Sequence, residues 1–241
     1  MLDRIVIEPM TKDFIIWRCL HGGPLTTGSI DQWKPEEEAH WTNLRKRNVR
    51  LLEQLTEAYG ACAILARDGD KIAGTLRFYP KALWAAAEGG AFCLQAFPPS
   101  AGEFLAGERL PTLSELQDKT LRVHCLMAGS PFQKENPYQR KGIGTRMVQA
   151  LICWARENGW EGIEATAVED LSILYEHTGM AGKRFWEKLR FRILETERKK
   201  RDGWGKVFEI LREQAAAQGL DPDIAETFAM RLDRIDPGWL S

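Results

Sequence analysis

At 241 residues the chain is long enough for one large domain with appended elements, since single domains run from roughly 100 to 250 residues. Hydrophobic residues at 44% and charged residues at 28% are ordinary for a soluble globular chain and argue against disorder, collagen-like repeats or a disulfide scaffold. Lys plus Arg at 33 against Asp plus Glu at 34 leave a formal net charge of -1, which supplies no general field toward nucleic acid or an anionic membrane, so neither is expected as a partner.

Ile5-Val6-Ile7 predicts a short strand closed by Pro9, because proline cannot donate to a sheet ladder. Thr11 to Leu20 predicts a first helix ended by Gly22-Gly23-Pro24, and Leu25 to Trp33 a loop. Pro35 followed by three glutamates marks a helix start, and Trp41, Leu44, Leu52, Leu55 and Tyr59 continue it at helical spacing as far as Gly60. Ala61 to Ala66 and Lys71 to Tyr79 read as two strands of a hairpin around an Asp-Gly turn. Lys81 to Lys119, rich in Ala, Gly and Pro, predicts a long irregular insertion with one short helix at Ala82 to Ala87.

Leu121 to Ala128 reads as a buried strand and Gly129 to Pro137 as a loop. From Ile143 a helix follows, with Met147, Val148, Leu151, Ile152 and Ala155 on one face and its end near Asn158-Gly159. Ile163 to Val168 is a strand, Lys183 to Leu189 a helix and Phe191 to Glu197 a strand. In the tail, Trp204 to Gln218 and Pro222 to Arg234 read as two amphipathic helices, with Asp221 as N-cap of the second. The fold class expected is therefore α/β, a mixed, mostly antiparallel central sheet flanked by helices, with a long insertion and a C-terminal helical extension. The expected organisation is one domain over 1–200, carrying the insertion at 81–119, and the helical extension over 201–241.

The five cysteines Cys19, Cys62, Cys93, Cys125 and Cys153 are odd in number and widely spaced, which disfavours both a disulfide framework and a zinc site; no metal is expected. The first residues lack the apolar core of a signal peptide, and no apolar stretch approaches the roughly 18 residues that span a bilayer, so a cytoplasmic location is expected. The basic run Arg198 to Arg201 reads as a solvated face.

The chemistry sits at the junction between the strand Leu121 to Ala128 and the helix from Ile143. A helix start leaves backbone N-H groups unbonded and carries partial positive charge, so phosphates settle there. Gly142 and Gly144 let the turn take unusual backbone angles and let a phosphate approach closely, while Arg140 and Lys141 add cationic donors. No G-x-x-x-x-G-K followed by Ser or Thr occurs, and Met147 stands where a dinucleotide fingerprint needs its third glycine.

Gln139-Arg140-Lys141-Gly142-Ile143-Gly144 resembles the central motif of the GNAT acetyltransferase superfamily: Gln or Arg, two free positions, Gly, one free position, then Gly or Ala. Gly182-Lys183-Arg184-Phe185-Trp186-Glu187-Lys188-Leu189-Arg190-Phe191 is similar to that family's A-x-x-F-Y-E-K-L-G-F segment. The resemblance covers residues 61–79 and 120–197 well and the start of the chain loosely; the insertion and the tail fall outside it.

The resemblance implies an N-acetyltransferase that moves an acetyl group from acetyl-coenzyme A to a primary amine by direct attack in a ternary complex, the cofactor lying where the fourth and fifth strands splay. Carried over, Cys125, Leu126 and Met127 would offer backbone groups to pantetheine. Gln139, Arg140, Lys141, Gly142, Ile143, Gly144 and Thr145 would hold the pyrophosphate. A fourth-strand N-H would meet the developing oxyanion. His124 on that strand, with Glu164 and Glu169 flanking the fifth, are the base candidates. The family's acidic Tyr is Trp186 here, which has no proton of useful acidity. Tyr175 or Tyr138 would substitute, or the thiolate would leave unassisted. The family's Gly before the final Phe is Arg190, and its frequent Asn falls near Gly179. The acceptor implied is a small-molecule or peptide amine, and a homodimer is left open. An intact turn fits equally a chain that binds acyl-coenzyme A as a sensor or interaction module without turnover. A scaffold built on the nine tryptophans, with Trp204 and Trp239 in the tail, is a third reading.

Overall fold

A computed structural model describes residues 4–18, 20, 23–86, 110–130, 135–200 and 202–233. Cys19, Cys93, Trp239 and most of the expected insertion lie outside the described residues. The chain forms two compact units, divided between Glu161 and Gly162.

In the first unit, β1 (Val6–Pro9), β2 (Ala63–Asp68), β3 (Lys71–Pro80) and β4 (Thr120–Ala128) pair antiparallel in that order. The Asp-Gly signal gives a tight hairpin: Asp68 pairs with Lys71, and Gly69 turns the chain at φ +64°. A 3-10 turn at Pro35–Glu37 leads into helix α1 (Glu38–Tyr59), which Gly60 ends at φ +88°. Asn48, Leu51, Leu52, Leu55, Thr56 and Tyr59 form its buried stripe. The short helix α2 (Lys81–Ala86) starts the insertion, and Thr112 and Glu115 close a capping box near its return.

The expected first helix, Thr11 to Leu20, does not form over its described residues, which are irregular chain with turns. Two of its carbonyls are taken by long-range donors: Arg77 donates to the Ile16 carbonyl at 2.8 Å and Asn48 to that of Trp17 at 3.2 Å. Met10, Ile16, Trp17 and Leu20 are all buried in this irregular segment.

Helix α3 (Ile143–Glu157) buries Ile143, Met147, Val148, Leu151, Ile152, Trp154 and Ala155. Gly74 on β3 admits it, because a Cβ there would stand 2.8 Å from both the Met127 carbonyl oxygen and Met147 Cε. Phe78 meets Trp154 with ring centroids 5.0 Å apart, so Gly74, Leu76 and Phe78 turn toward α3 while Thr75, Arg77 and Tyr79 turn away.

The second unit holds β5 (Gly162–Val168), α4 (Ser172–Thr178), α5 (Lys183–Lys188), β6 (Arg192–Lys200), α6 (Lys206–Ala217) and β7 (Ile224–Asp233). Its strand order is β5-β7-β6, again antiparallel. All the strand pairings described within the two units are antiparallel, so the expected α/β class with a mostly antiparallel sheet and flanking helices is what the structure has.

The tail departs from expectation in its second half. Pro222 to Arg234 does not form a helix; Ile224–Asp233 is a strand seated between β5 and β6. Phe228, Met230 and Leu232 are buried at alternate positions, and a ladder on each side outweighs the helical preference of Ala, Glu, Met and Arg. The other tail helix forms as α6. Leu211 and Ala215 of α6 pack with Leu171, Ile173 and Leu174 around α4, with Trp204 and Phe208 against them. Trp204 thus packs, partly buried, against the core of this unit, its indole 4.5 Å from the His177 ring.

Candidate functional site

The turn between β4 and α3 is tethered before it reaches the helix. Gly129 leaves β4 at φ +67°, its amide bound to the Ala73 carbonyl at 2.8 Å. Asn136 Nδ2 donates to the carbonyls of Ala128 (3.0 Å) and Ser130 (3.1 Å), and its Oδ1 accepts the Tyr138 amide at 2.9 Å. Any side chain at 129 would collide with that amide group, for a Cβ would stand 2.1 Å from Asn136 Oδ1. The Tyr138 hydroxyl donates to Asp68 at 3.3 Å; burial first, then the Asp68 carboxylate, raises its pKa. Tyr138 is an anchor of the turn.

Beyond this tether Arg140 and Gly142 both take left-handed backbone angles, φ +55° and φ +76°. Gly142 is the N-cap of α3 and offers no capping side chain. The Arg146 amide closes the first turn onto the Gly142 carbonyl at 3.0 Å. The amides of Ile143, Gly144 and Thr145 are first-turn groups, for which an α-helix provides no carbonyl four residues back. Arg140, Lys141 and Gly142 are exposed, Gln139, Gly144 and Thr145 half-buried, and Ile143 is buried as the pin that fixes the helix start. No acidic side chain lies in the first turn. The result is a solvent-facing, cation-rimmed helix N-terminus suited to an anionic oxygen cluster.

On β4, Cys125, Leu126 and Met127 pair with Arg77, Leu76 and Thr75 of β3. The register then slips: Arg77 faces Cys125 but Phe78 faces Val123, so His124 is the extra residue of a β-bulge. Its half-buried ring lies 5.6 Å from that of Tyr79. His124, Cys125, Leu126, Met127 and the turn all belong to the first unit.

The other nominated residues belong to the second. Glu164 on β5 is 3% exposed and accepts from Arg231 at 2.8 Å, its cross-strand partner on β7. Arg231 in turn binds Asp233. Glu169 is buried and paired with Lys183 Nζ at 3.0 Å. Tyr175, on α4, is 44% exposed. Trp186 is buried between Phe185 and Phe191, and its indole N-H has no hydrogen-bond partner among the described residues.

No family model matches the sequence, and no curated protein matches it. Solved structures do. The chain is similar to an acetyltransferase of the GNAT family from Streptococcus pneumoniae, at 10% identity over 95% of this chain and 99% of that one, with a TM-score of 0.49. It is similar to the C-terminal condensation domain of Ebony in complex with beta-alanyl-dopamine, at 14% identity, covering 97% and 100%, with a TM-score of 0.48. It is also similar to the ribosomal-protein-S18-alanine N-acetyltransferase from Escherichia coli, at 10% identity, covering 97% and 96%, with a TM-score of 0.43. Acetyltransferases of the GNAT family are thus among the folds that this chain is similar to.

Three residues of the first unit stand outside the sequence candidates, two without a signal and one with it. Asn136 and Gly129 shape the turn, yet a loop asparagine and a loop glycine give no signal until their contact is seen. Arg77 is 6% exposed in the middle of β3, where an apolar residue is the norm. That placement was legible, since an arginine stands inside the apolar run Ile72 to Tyr79.

Proposed function

We propose that the chain is an N-acetyltransferase that holds acetyl-coenzyme A by its pyrophosphate on the turn Gln139 to Thr145 and passes the acetyl group to an amine by direct attack. The observation that carries this reading is the exposed start of α3, opened by Gly142 at φ +76° and rimmed by Arg140 and Lys141. The motif that the same residues spell in the sequence supports it independently.

In this reading the backbone of Cys125, Leu126 and Met127 aligns the pantetheine arm, and a β4 N-H near the bulge receives the charge that develops on the thioester oxygen. His124, displaced from the regular ladder, is the group we assign to take the amine proton. Glu164 we assign to the cross-strand pair with Arg231, because its carboxylate is buried and occupied there. Tyr175 keeps an exposed phenol on the second unit; the thiolate, from a thiol of pKa about 8.5, leaves tolerably without help.

The burial of Trp186 favours one second reading, a coenzyme A sensor without turnover, since no proton donor stands at the position where the resembled family keeps one. Thiol release on a panel of primary amines separates the two. Acetylation of any member supports the enzyme; coenzyme A binding with no turnover on the whole panel supports the sensor.

A further inference from the structure

Central strand β3 carries a buried polar row on the face turned away from α3. Thr75, Arg77 and Tyr79 are 1%, 6% and 2% exposed. Such a row in a sheet core is costly unless each group is satisfied. The Thr75 hydroxyl has no hydrogen-bond partner among the described residues. Arg77 spends one donor on the Ile16 carbonyl at 2.8 Å, and among the described residues no carboxylate forms an ion pair with it. Its neighbours do not supply the missing charge. Burial pushes the Cys62 thiol up to about 11 and raises the Tyr79 phenol, so both stay protonated and neutral at physiological pH.

The row lies directly across the ladder from the segment assigned to the pantetheine arm: Arg77 faces Cys125 and Thr75 faces Met127, with the His124 bulge between Cys125 and Val123. Cross-strand neighbours stand about 5 Å apart, close enough for one small ligand to touch both strands. A single guanidinium flanked by neutral hydroxyls balances one negative charge, so it suits a carboxylate better than a phosphate dianion.

We propose that Thr75, Arg77 and Tyr79 form the acceptor subsite, and that the acceptor is a carboxylate-bearing amine of the amino-acid class whose carboxylate pairs with Arg77. This rests on the acetyl-transfer reading above. The guanidinium fork takes the two carboxylate oxygens, the hydroxyls complete their shell, and the acceptor amine is left on the β4 side beside His124.

The test compares free amino acids with their primary carboxamides, which keep the amine and lose the charge. Two readouts are taken on the full chain: thiol release from acetyl-coenzyme A, and calorimetric binding of the same compounds to the protein saturated with coenzyme A. The expected result is a preference for the carboxylate on the order of 100-fold in kcat/KM, as for a site that rejects a ligand leaving its polar groups unpaired. Arg77→Gln should bring the two classes together, Arg77→Lys should keep part of the preference, and Tyr79→Phe, which removes only a hydroxyl, should reduce it by about tenfold. If Arg77 merely tethers Ile16, Arg77→Gln lowers the melting temperature and leaves the preference intact, which overturns the proposal. Equal use of both classes by the unaltered protein also overturns it, with acetyl transfer still standing. Arg77-dependent carboxylate binding with no turnover on any compound removes the acetyl-transfer reading and upholds the anion subsite.

Discussion

Gly142 stands at φ +76° with open space where a Cβ would project, so a substitution there meets backbone strain but no clash. Gly142→Ala should therefore cost about 1 kcal/mol of stability and weaken coenzyme A only modestly. Gly142→Asp adds a negative charge at the helix N-terminus, where the pyrophosphate would sit, and should abolish binding. Chemical denaturation and calorimetry on the pair separate strain from charge. Arg190 offers the complementary case. It takes φ +63° as the residue after the cap of α5, with its amide on the Glu187 carbonyl (2.8 Å) and the Phe191 amide on that of Trp186 (3.1 Å). This is the Schellman arrangement, in which Gly is favoured. Gly159 after α3 and Gly219 after α6 make the same bonds at φ +77° and φ +70°. Arg190→Gly should raise stability by about 1 kcal/mol, read as a higher thermal midpoint; a lower midpoint would mean that the arginine side chain contributes more than its backbone strain costs. For Glu164→Gln, loss of the charged pair with Arg231 should cost about 2 kcal/mol while kcat/KM stays nearly unchanged. A large fall in kcat at unchanged stability would instead return Glu164 to the role of base.

At the scale of elements, what the sequence shows is what local chemistry decides. Pro35 with its glutamates, the Asp-Gly hairpin, the apolar stripe of α3 and the glycine stops at 60, 159 and 219 each act within a few residues, and each element stands where that chemistry places it. The failures are elements decided at a distance. In the segment expected as a first helix, the carbonyls of Ile16 and Trp17 are taken by Arg77 and Asn48, which lie 61 and 31 residues away along the chain. Ile224–Asp233 becomes a strand because β5 and β6 offer it two ladders. Ser172–Thr178, a seven-residue helix, is too short to show a period, and it is held by contacts to α6, including Gln214 Oε1 accepting from the Ile173 amide at 3.1 Å. The phosphate turn was legible as a motif, but its rigidity was not, because Asn136 fixes it through three hydrogen bonds to backbone. Asn136→Ala should loosen the turn, costing about 1 to 2 kcal/mol of stability and a corresponding tenfold in coenzyme A affinity. Unchanged affinity would show that the turn holds its shape from the helix side alone.

Over the whole molecule acids and bases nearly cancel, so pH acts through particular pairs rather than through net charge. Asp31 is held below its ordinary value of 3.8 chiefly by hydrogen bonding to Arg45, and Asp233 chiefly by hydrogen bonding to Arg231 and Arg192. A depressed carboxylate contributes stability that is full above its unfolded value and lost as pH falls through its folded one. The thermal midpoint should thus be flat near neutrality and fall below about pH 4, and Asp31→Asn should flatten part of that fall. A pH profile unaltered by Asp31→Asn would remove that pair from the balance. The central claim concerns the turn at Gln139 to Thr145, and calorimetric titration with coenzyme A and with pantetheine, which lacks the pyrophosphate, tests it most directly. We expect coenzyme A to bind the unaltered chain at least about 100-fold more tightly than pantetheine, about 2.7 kcal/mol, and Gly142→Asp to erase that difference. Equal binding of the two compounds, or coenzyme A binding undiminished by Gly142→Asp, would contradict it.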